Sequence, residues 1–194
     1  MKSVLLSIKP KYCELIAGGK KTIEVRKTKP KLDTPFKCYI YCTKDKNISF
    51  WTSKRYSYAD DRSHNLFDVC GNGKVMGEFV CDKITEFYPT MDLKRLTSNH
   101  IQMVDKSCVN MRDLYNYAND KILYAWQISD LVIYDEPKDI DVFEKPCSHD
   151  CKNCEYWYSG SPIDYEPPYC EWEDCVITRP PQSWCYVEEV EEHE

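Results

Sequence analysis

The sequence predicts an α+β fold: a partly closed β-barrel with short helices, plus a small Cys-rich, zinc-binding segment near the C-terminus. Three observations predict it. Apolar residues recur in short alternating or continuous runs bounded by turn signals, the pattern of strands, while helical spacing occurs only briefly. The 194 residues are 42% hydrophobic and 30% charged, enough for one well-formed core. Five of the twelve cysteines crowd between Cys147 and Cys175, a clustering that points to metal more than to disulfides.

The elements follow in order. Residues 4–8 are a short apolar run, read as a buried strand. Pro10 sits where a helix can begin, Tyr12, Leu15 and Ile16 share a helical face, and Gly18 and Gly19 stop it. Residues 22–27 alternate, with Thr22, Glu24 and Arg26 on one side and Ile23 and Val25 on the other. Residues 36–43 form a second alternating strand. Residues 44–73 are polar, aromatic and irregular, read as a long excursion. Residues 74–88 read as one long bent strand with a bulge at Gly77. Residues 111–118 suggest a short helix and 121–134 another long strand. An acidic connector carrying Pro137 covers 135–145. Residues 176–187 read as a closing edge strand, because Pro180 and Pro181 exclude a central position. The expected units are a barrel over 1–134, the connector and Cys-rich insertion over 135–175, and the closing strand with an acidic tail over 176–194. No internal repeat is evident.

No apolar run approaches the ~20 residues of a membrane-spanning helix. The first nineteen residues resemble a signal peptide, but Lys9, Lys11 and Glu14 break the apolar run. A cytoplasmic protein with no membrane partner is expected. Its formal net charge of −6 hides an asymmetry. Residues 1–55 hold 14 Lys/Arg against 4 Asp/Glu, and residues 56–194 hold 12 against 28. A basic front suits a polyanion, and an acidic back suits a basic partner or repels nucleic acid.

Residues 19–26 read Gly-Lys-Lys-Thr-Ile-Glu-Val-Arg. Glu24 and Arg26 share a strand face, close enough to pair, and such a pair is costly to bury without a partner. Arg26 and Lys21 suit a phosphate or carbonyl oxygen, and Glu24 an amino group. The stretch resembles the G-x-K-x-x-E-x-R signature of the ASCH family, with Gly19, Lys21, Glu24 and Arg26 at its four fixed positions. The preceding SIKPKYCELIAGG is similar to that family's leading strand and helix. GKVMGEFVCDKI, YAWQISDLVIY and RPPQSWCYV look like later strands of the versions in bacteria and their phages. The resemblance covers residues 1–134 and 176–187.

It implies a PUA-like barrel with a ligand cleft at Lys9, Lys21, Glu24 and Arg26. It also implies RNA, single-stranded nucleic acid or a modified nucleoside as partner. Some small bacterial members hydrolyse acetylated cytidine with a lysine, a threonine and a glutamate. Lys21 fits the lysine, Glu24 stands where the threonine would be, and Glu78 is a candidate glutamate by polarity alone. A hydrolase using Lys21 and Glu24 is therefore an alternative to binding alone. A phage or prophage inhibitor or interaction protein, acting through the acidic half, is a third class.

Two further stretches carry chemistry. In residues 48–62, Trp51, Tyr56 and Tyr58 interleave with Lys54 and Arg55, which suits stacking on single-stranded bases or an apolar strand packed inward. In the Cys-rich segment, Cys151 and Cys154 make a tight chelating turn, and Cys170 and Cys175 supply a second pair. Four thiolates fit a closed structural zinc site, with Cys147 and His149 as alternate ligands. The Cys-x3-Cys-x2-Cys spacing also occurs in radical iron–sulfur enzymes, but too little chain surrounds it for their barrel. Free buried thiols are the other reading.

Overall fold

Burial on both faces defines the first strand. β1 (Ser3–Ile8) turns Val4, Leu6 and Ile8 into one core and Leu5 into another. A strand covered on both faces reads as a continuous apolar run, as this one does. The computed structural model describes residues 2–57, 64–146, 157–158, 169–170 and 176–189, with backbone only at 53–57, 64–69, 157–158, 169–170 and 189. α1 (Pro10–Ala17) follows at once, with Pro10 in its first turn and Cys13 and Ile16 inward. Gly19, at φ +69°, ends it in the left-handed region that glycine tolerates.

β2 (Ile23–Arg26) begins the second sheet, and β3 (Phe36–Cys42) returns parallel to β1, pairing Val4 with Cys38 through Ile8 with Cys42. The excursion expected at 44–73 is instead a hairpin: β4 (Trp51–Ser57) pairs antiparallel with β5 (His64–Cys70). Its mixed polar and aromatic composition hides it, because neither segment carries the apolar alternation that marks a half-buried strand. Asn72 anchors its base, accepting from the Phe50 N–H at 2.8 Å and donating to the Ile48 carbonyl at 2.8 Å.

Both expected long strands are broken. β6 (Val75–Cys81) and β7 (Ile84–Phe87) divide at residues 82–83. β8 (Leu123–Gln127) and β9 (Ser129–Lys138) divide at Ile128, just before Asp130 at φ 47°. Each break is a corner where the chain changes sheet. β6 and β9 lie in a six-stranded sheet ordered β10-β13-β1-β3-β6-β9, and β7 and β8 lie in a three-stranded sheet ordered β2-β8-β7. Here β10 is Phe143–Glu144 and β13 is Trp184–Glu189. The expected bulge is present: the β6–β9 register shifts between Val75 and Gly77, and a Cβ on Gly77 would collide with the Val132 carbonyl oxygen. The hairpin packs against β9.

The C-terminal third also departs from expectation. β9 runs past residue 134 to Lys138, carrying Pro137 on an edge strand, where the missing N–H is tolerated. Part of the acidic connector then folds onto the outer face of the large sheet. Phe143 is fully buried, its ring 4.6 Å from that of Tyr39, while Asp139 turns outward to Lys74. β13 is not an edge strand, being flanked by β1 and β10; Pro180 and Pro181 precede it, so its ladder keeps every donor. β11 (Trp157–Tyr158) and β12 (Tyr169–Cys170) form a small antiparallel ribbon. α3 (Met111–Ala118) is as expected, whereas α2 (Ser98–Ser107) is an addition.

The main core lies inside the half-barrel, where Trp126 packs edge-on to Phe36 over Cys38, Ile40, Met76 and Phe79. A second core joins the small sheet to α2 and α3 through Ile23, Val25, Met103, Leu114 and Leu123. Among the described residues no helix is long and apolar enough to cross a membrane.

Candidate ligand cleft

The turn after α1 positions the site. The backbone N–H groups of Lys20 and Lys21 both donate to the Leu15 carbonyl at 2.9 Å, which turns Lys21 inward. Its ammonium is 2% exposed and donates to the carbonyls of Ile23 and Ser107, each at 2.8 Å. It also lies 3.1 Å from Glu24 Oε2. On β2, Glu24 Oε1 is 3.1 Å from Arg26 Nη2, which donates in turn to the Ser7 carbonyl at 2.8 Å. Arg26 Nη1 reaches Ser183 Oγ at 3.4 Å, and Arg26 Nε is buried with no partner among the described residues.

One buried carboxylate thus holds two buried cations. Each charge would be expensive to desolvate alone, and pairing with additional backbone acceptors offsets that cost. The group keeps a net charge of +1. All three N–H donors of Lys21 are engaged, so its ammonium ties β2 to the end of α2. Arg26, with an unpartnered Nε, is the cation with capacity left.

These residues floor a cleft of about 660 Å³. α1 forms one wall with Lys9, Lys11 and Tyr12; α3 forms the other with Asp113, Leu114 and Tyr117; Pro180, Pro181 and Gln182 close the rim. The structure therefore brings Lys9, Lys21, Glu24 and Arg26 together, with Lys9 exposed at the mouth. Sequence reasoning misses Tyr12, Ser107, Asp113 and Tyr117. Asp113 and Tyr117, four apart, share a face of α3, but nothing local indicates which strand that face meets.

Burial pushes the Tyr117 phenol above its ordinary pKa; Arg26 pulls it down and Glu24 pushes it up.

Other candidates lie elsewhere. Glu78 is not in the cleft: it stands on β6, paired with Lys37 at 3.0 Å and accepting from the Tyr134 hydroxyl at 2.6 Å. Trp51 is 57% exposed on the hairpin and does not line the cleft. Tyr58 lies outside the described residues, and the side chains of Lys54, Arg55 and Tyr56 are not described. Cys147, His149, Cys151, Cys154 and Cys175 lie outside the described residues, and Cys170 is placed by backbone alone in β12. A second cavity, of about 590 Å³, lies beside α2 and α3, but its Asp92 and Arg95 pair with each other at the surface, 3.5 Å apart.

No protein-family model matches the sequence, and no curated protein matches it. Among solved structures, the chain is similar to the ASCH protein of Zymomonas mobilis, with a TM-score of 0.52 and 14% identity over 96% of this chain and 87% of that one. A serine-to-alanine variant of the same protein gives a TM-score of 0.52 and 14% identity, over 96% and 88% of the two chains. At such identity the likeness concerns the path of the backbone. The half-barrel sheet, the second small sheet and the three short helices together give this chain the fold of the ASCH proteins, a PUA-like barrel.

Proposed function

We propose that the protein binds RNA or a modified nucleoside in the cleft between α1 and α3. The observation that carries this reading is the Lys21–Glu24–Arg26 group, two cations on one carboxylate, at the floor of a cleft rimmed by exposed lysines. The ASCH fold, associated with RNA binding, supports the same reading, as does the basic N-terminal quarter. Hydrolysis is less well supported, because the Lys21 side chain is turned to three protein acceptors and Glu78 stands outside the cleft.

Gel-shift titrations of single-stranded RNA at two salt concentrations test the reading. Affinity should fall by roughly 0.7 log units per phosphate contact for each tenfold rise in salt. Lys9→Ala, Lys11→Ala and Lys27→Ala should lower affinity uniformly across sequences, whereas Arg26→Ala should erase preference between ligands. No binding by folded protein at low salt would move the function to protein interaction, with the acidic half meeting a basic partner. Trimming the acidic tail should begin after Glu189, since Glu188 and Glu189 still pair with β10.

The Cys-rich segment is proposed to hold one structural zinc on Cys151, Cys154, Cys170 and Cys175, with Cys147 or His149 as an alternate ligand. The β11–β12 ribbon supports this: Trp157 pairs with Cys170, so the chain arriving from residue 154 and the chain leaving toward residue 175 meet the ribbon at one end. Four thiolates close the coordination sphere, leaving a scaffolding role. Elemental analysis of protein prepared without chelator should find about one zinc per chain. Finding none sinks the assignment; Cys154→Ser should release the metal and leave the barrel folded.

A further inference from the structure

Two tyrosines face the cleft from opposite walls, and neither belongs to the buried charged group. Tyr117 projects from α3 one turn after Asp113. It lines the cleft together with Arg26 and Glu24. Lys27 Nζ lies 4.7 Å from the ring centroid, and the residue is 39% exposed. On the α1 wall, Lys11 Nζ lies 4.6 Å from the Tyr12 centroid and Lys21 Nζ 5.1 Å from it. Lys9 and Lys11 are exposed on this rim, and no described carboxylate pairs with either. Asp113, on the opposite rim, is engaged only by Asn110 among the described residues, at 2.8 Å.

The cleft is therefore polarised across its width. One rim carries Lys9 and Lys11, the other carries Asp113 with Lys27 beside Tyr117, and both walls carry an aromatic ring. A complementary ligand has a flat ring, an anionic group at one end and N–H donors at the other. Aromatic side chains hold bases by stacking. Carboxylates accept from exocyclic amino groups, and lysines take phosphate as point charges.

We propose that the cleft takes one nucleotide unit, with its base on Tyr117, its amino edge toward Asp113 and its phosphate on Lys9 and Lys11. A volume of about 660 Å³ suits a ligand of that size. The nucleotide is either a free monophosphate or an unpaired unit of a strand. The assignment rests on the binding function proposed above and adds Tyr117 and Asp113 as ligand-contacting residues.

Calorimetry with cytidine, adenosine, their 5′-monophosphates and a short single-stranded RNA tests it. The monophosphates should bind at least tenfold more tightly than the nucleosides, and Lys9→Ala combined with Lys11→Ala should remove that difference. Tyr117→Ala should weaken every ligand about tenfold or more without changing the melting temperature, because the side chain is 39% exposed. Tyr117→Phe should keep the stacking and lose part of the preference between bases, and Asp113→Asn should reduce the preference for amino-bearing bases. Binding of RNA without free monophosphates would place the source in a strand; binding of monophosphates alone would place it in a free nucleotide. If Arg26→Ala, shown by its melting curve to be folded, abolishes binding while Tyr117→Ala leaves it intact, the nucleotide orientation is overturned and the cleft function stands. If neither substitution alters binding, the cleft function itself is overturned. Monophosphates binding no better than nucleosides would overturn the phosphate placement.

Discussion

Replacing Glu24 by alanine should cost about 3–5 kcal/mol of folding stability, the loss typical when one partner of a buried ion pair is removed. The carboxylate is shared between Lys21 and Arg26 at 3.1 Å each, and neither cation has another carboxylate among the described residues. Without it, two positive charges face each other inside the fold, and the ammonium retains only the carbonyls of Ile23 and Ser107. Glu24→Gln should be milder, since its amide oxygen can still accept from one cation. Urea unfolding at neutral pH measures both. A Glu24→Ala midpoint within about 1 kcal/mol of the wild type would mean the cations reach water easily and the charges are not buried as described. Such a loss is a sizeable part of the stability of an ordinary domain, so ligand binding by this variant should be compared only after folding has been verified.

Stability should also fall steeply in alkali. Cys13 and Cys38 are fully buried in the main core, and both thiols are held well above their ordinary value of 9.0. For Cys13 the hydrogen bond with Cys42 acts first and burial second; for Cys38 burial dominates. Cys81, also chiefly through burial, is pushed up to about 12. Between pH 9 and these raised values the unfolded chain releases the protons and the folded chain keeps them. The contribution is therefore fully present below pH 9 and is lost as pH rises above it. Cys13 and Cys38 should each remove about 1.4 kcal/mol per pH unit once the unfolded thiols are ionised. Urea midpoints should be level from pH 7.5 to 8.5 and drop sharply by pH 10. Cys38→Ala should reduce the slope while lowering stability throughout. A level profile across the whole range would show that the core does not hold these thiols neutral.

Much of this architecture is legible in the sequence where a local signal exists. Pro10 and Gly19 bracket α1, the continuous run at 4–8 announces a strand buried on both faces, and Glu24 and Arg26 share a side by simple alternation. The corners at 82–83 and Ile128 are hidden because apolar residues continue past them, so each broken segment reads as one strand. α2 is hidden for the opposite reason. Of its apolar residues only Met103 is buried, while Ile101 is 66% exposed, so no stripe marks the helix. It is held by its cap, where His100 Nδ1 accepts from the Thr97 N–H at 3.2 Å, and by the contacts it makes. That omission conceals the environment of Lys21, whose second carbonyl partner belongs to Ser107, 86 positions away. A motif can identify a charged residue, but not the backbone oxygen that a distant helix end delivers to it.

The pairing of β1 with β13 has a consequence for the polyanion binding proposed above. At one end of this ribbon, Ser7 meets Ser183 beside the cleft, among exposed Lys9, Lys11 and Lys27. At the other end, Ser3 meets Val187, and the strand continues into Glu188 and Glu189. Exposed lysines thereby stand at the cleft end of this ribbon, and Glu188 and Glu189 continue its other end. In the field of an approaching polyanion such a body experiences a torque that turns the lysine-rich end forward before contact. Alignment in flight raises the fraction of productive encounters, and added salt weakens it first in the association rate rather than in the lifetime of the complex.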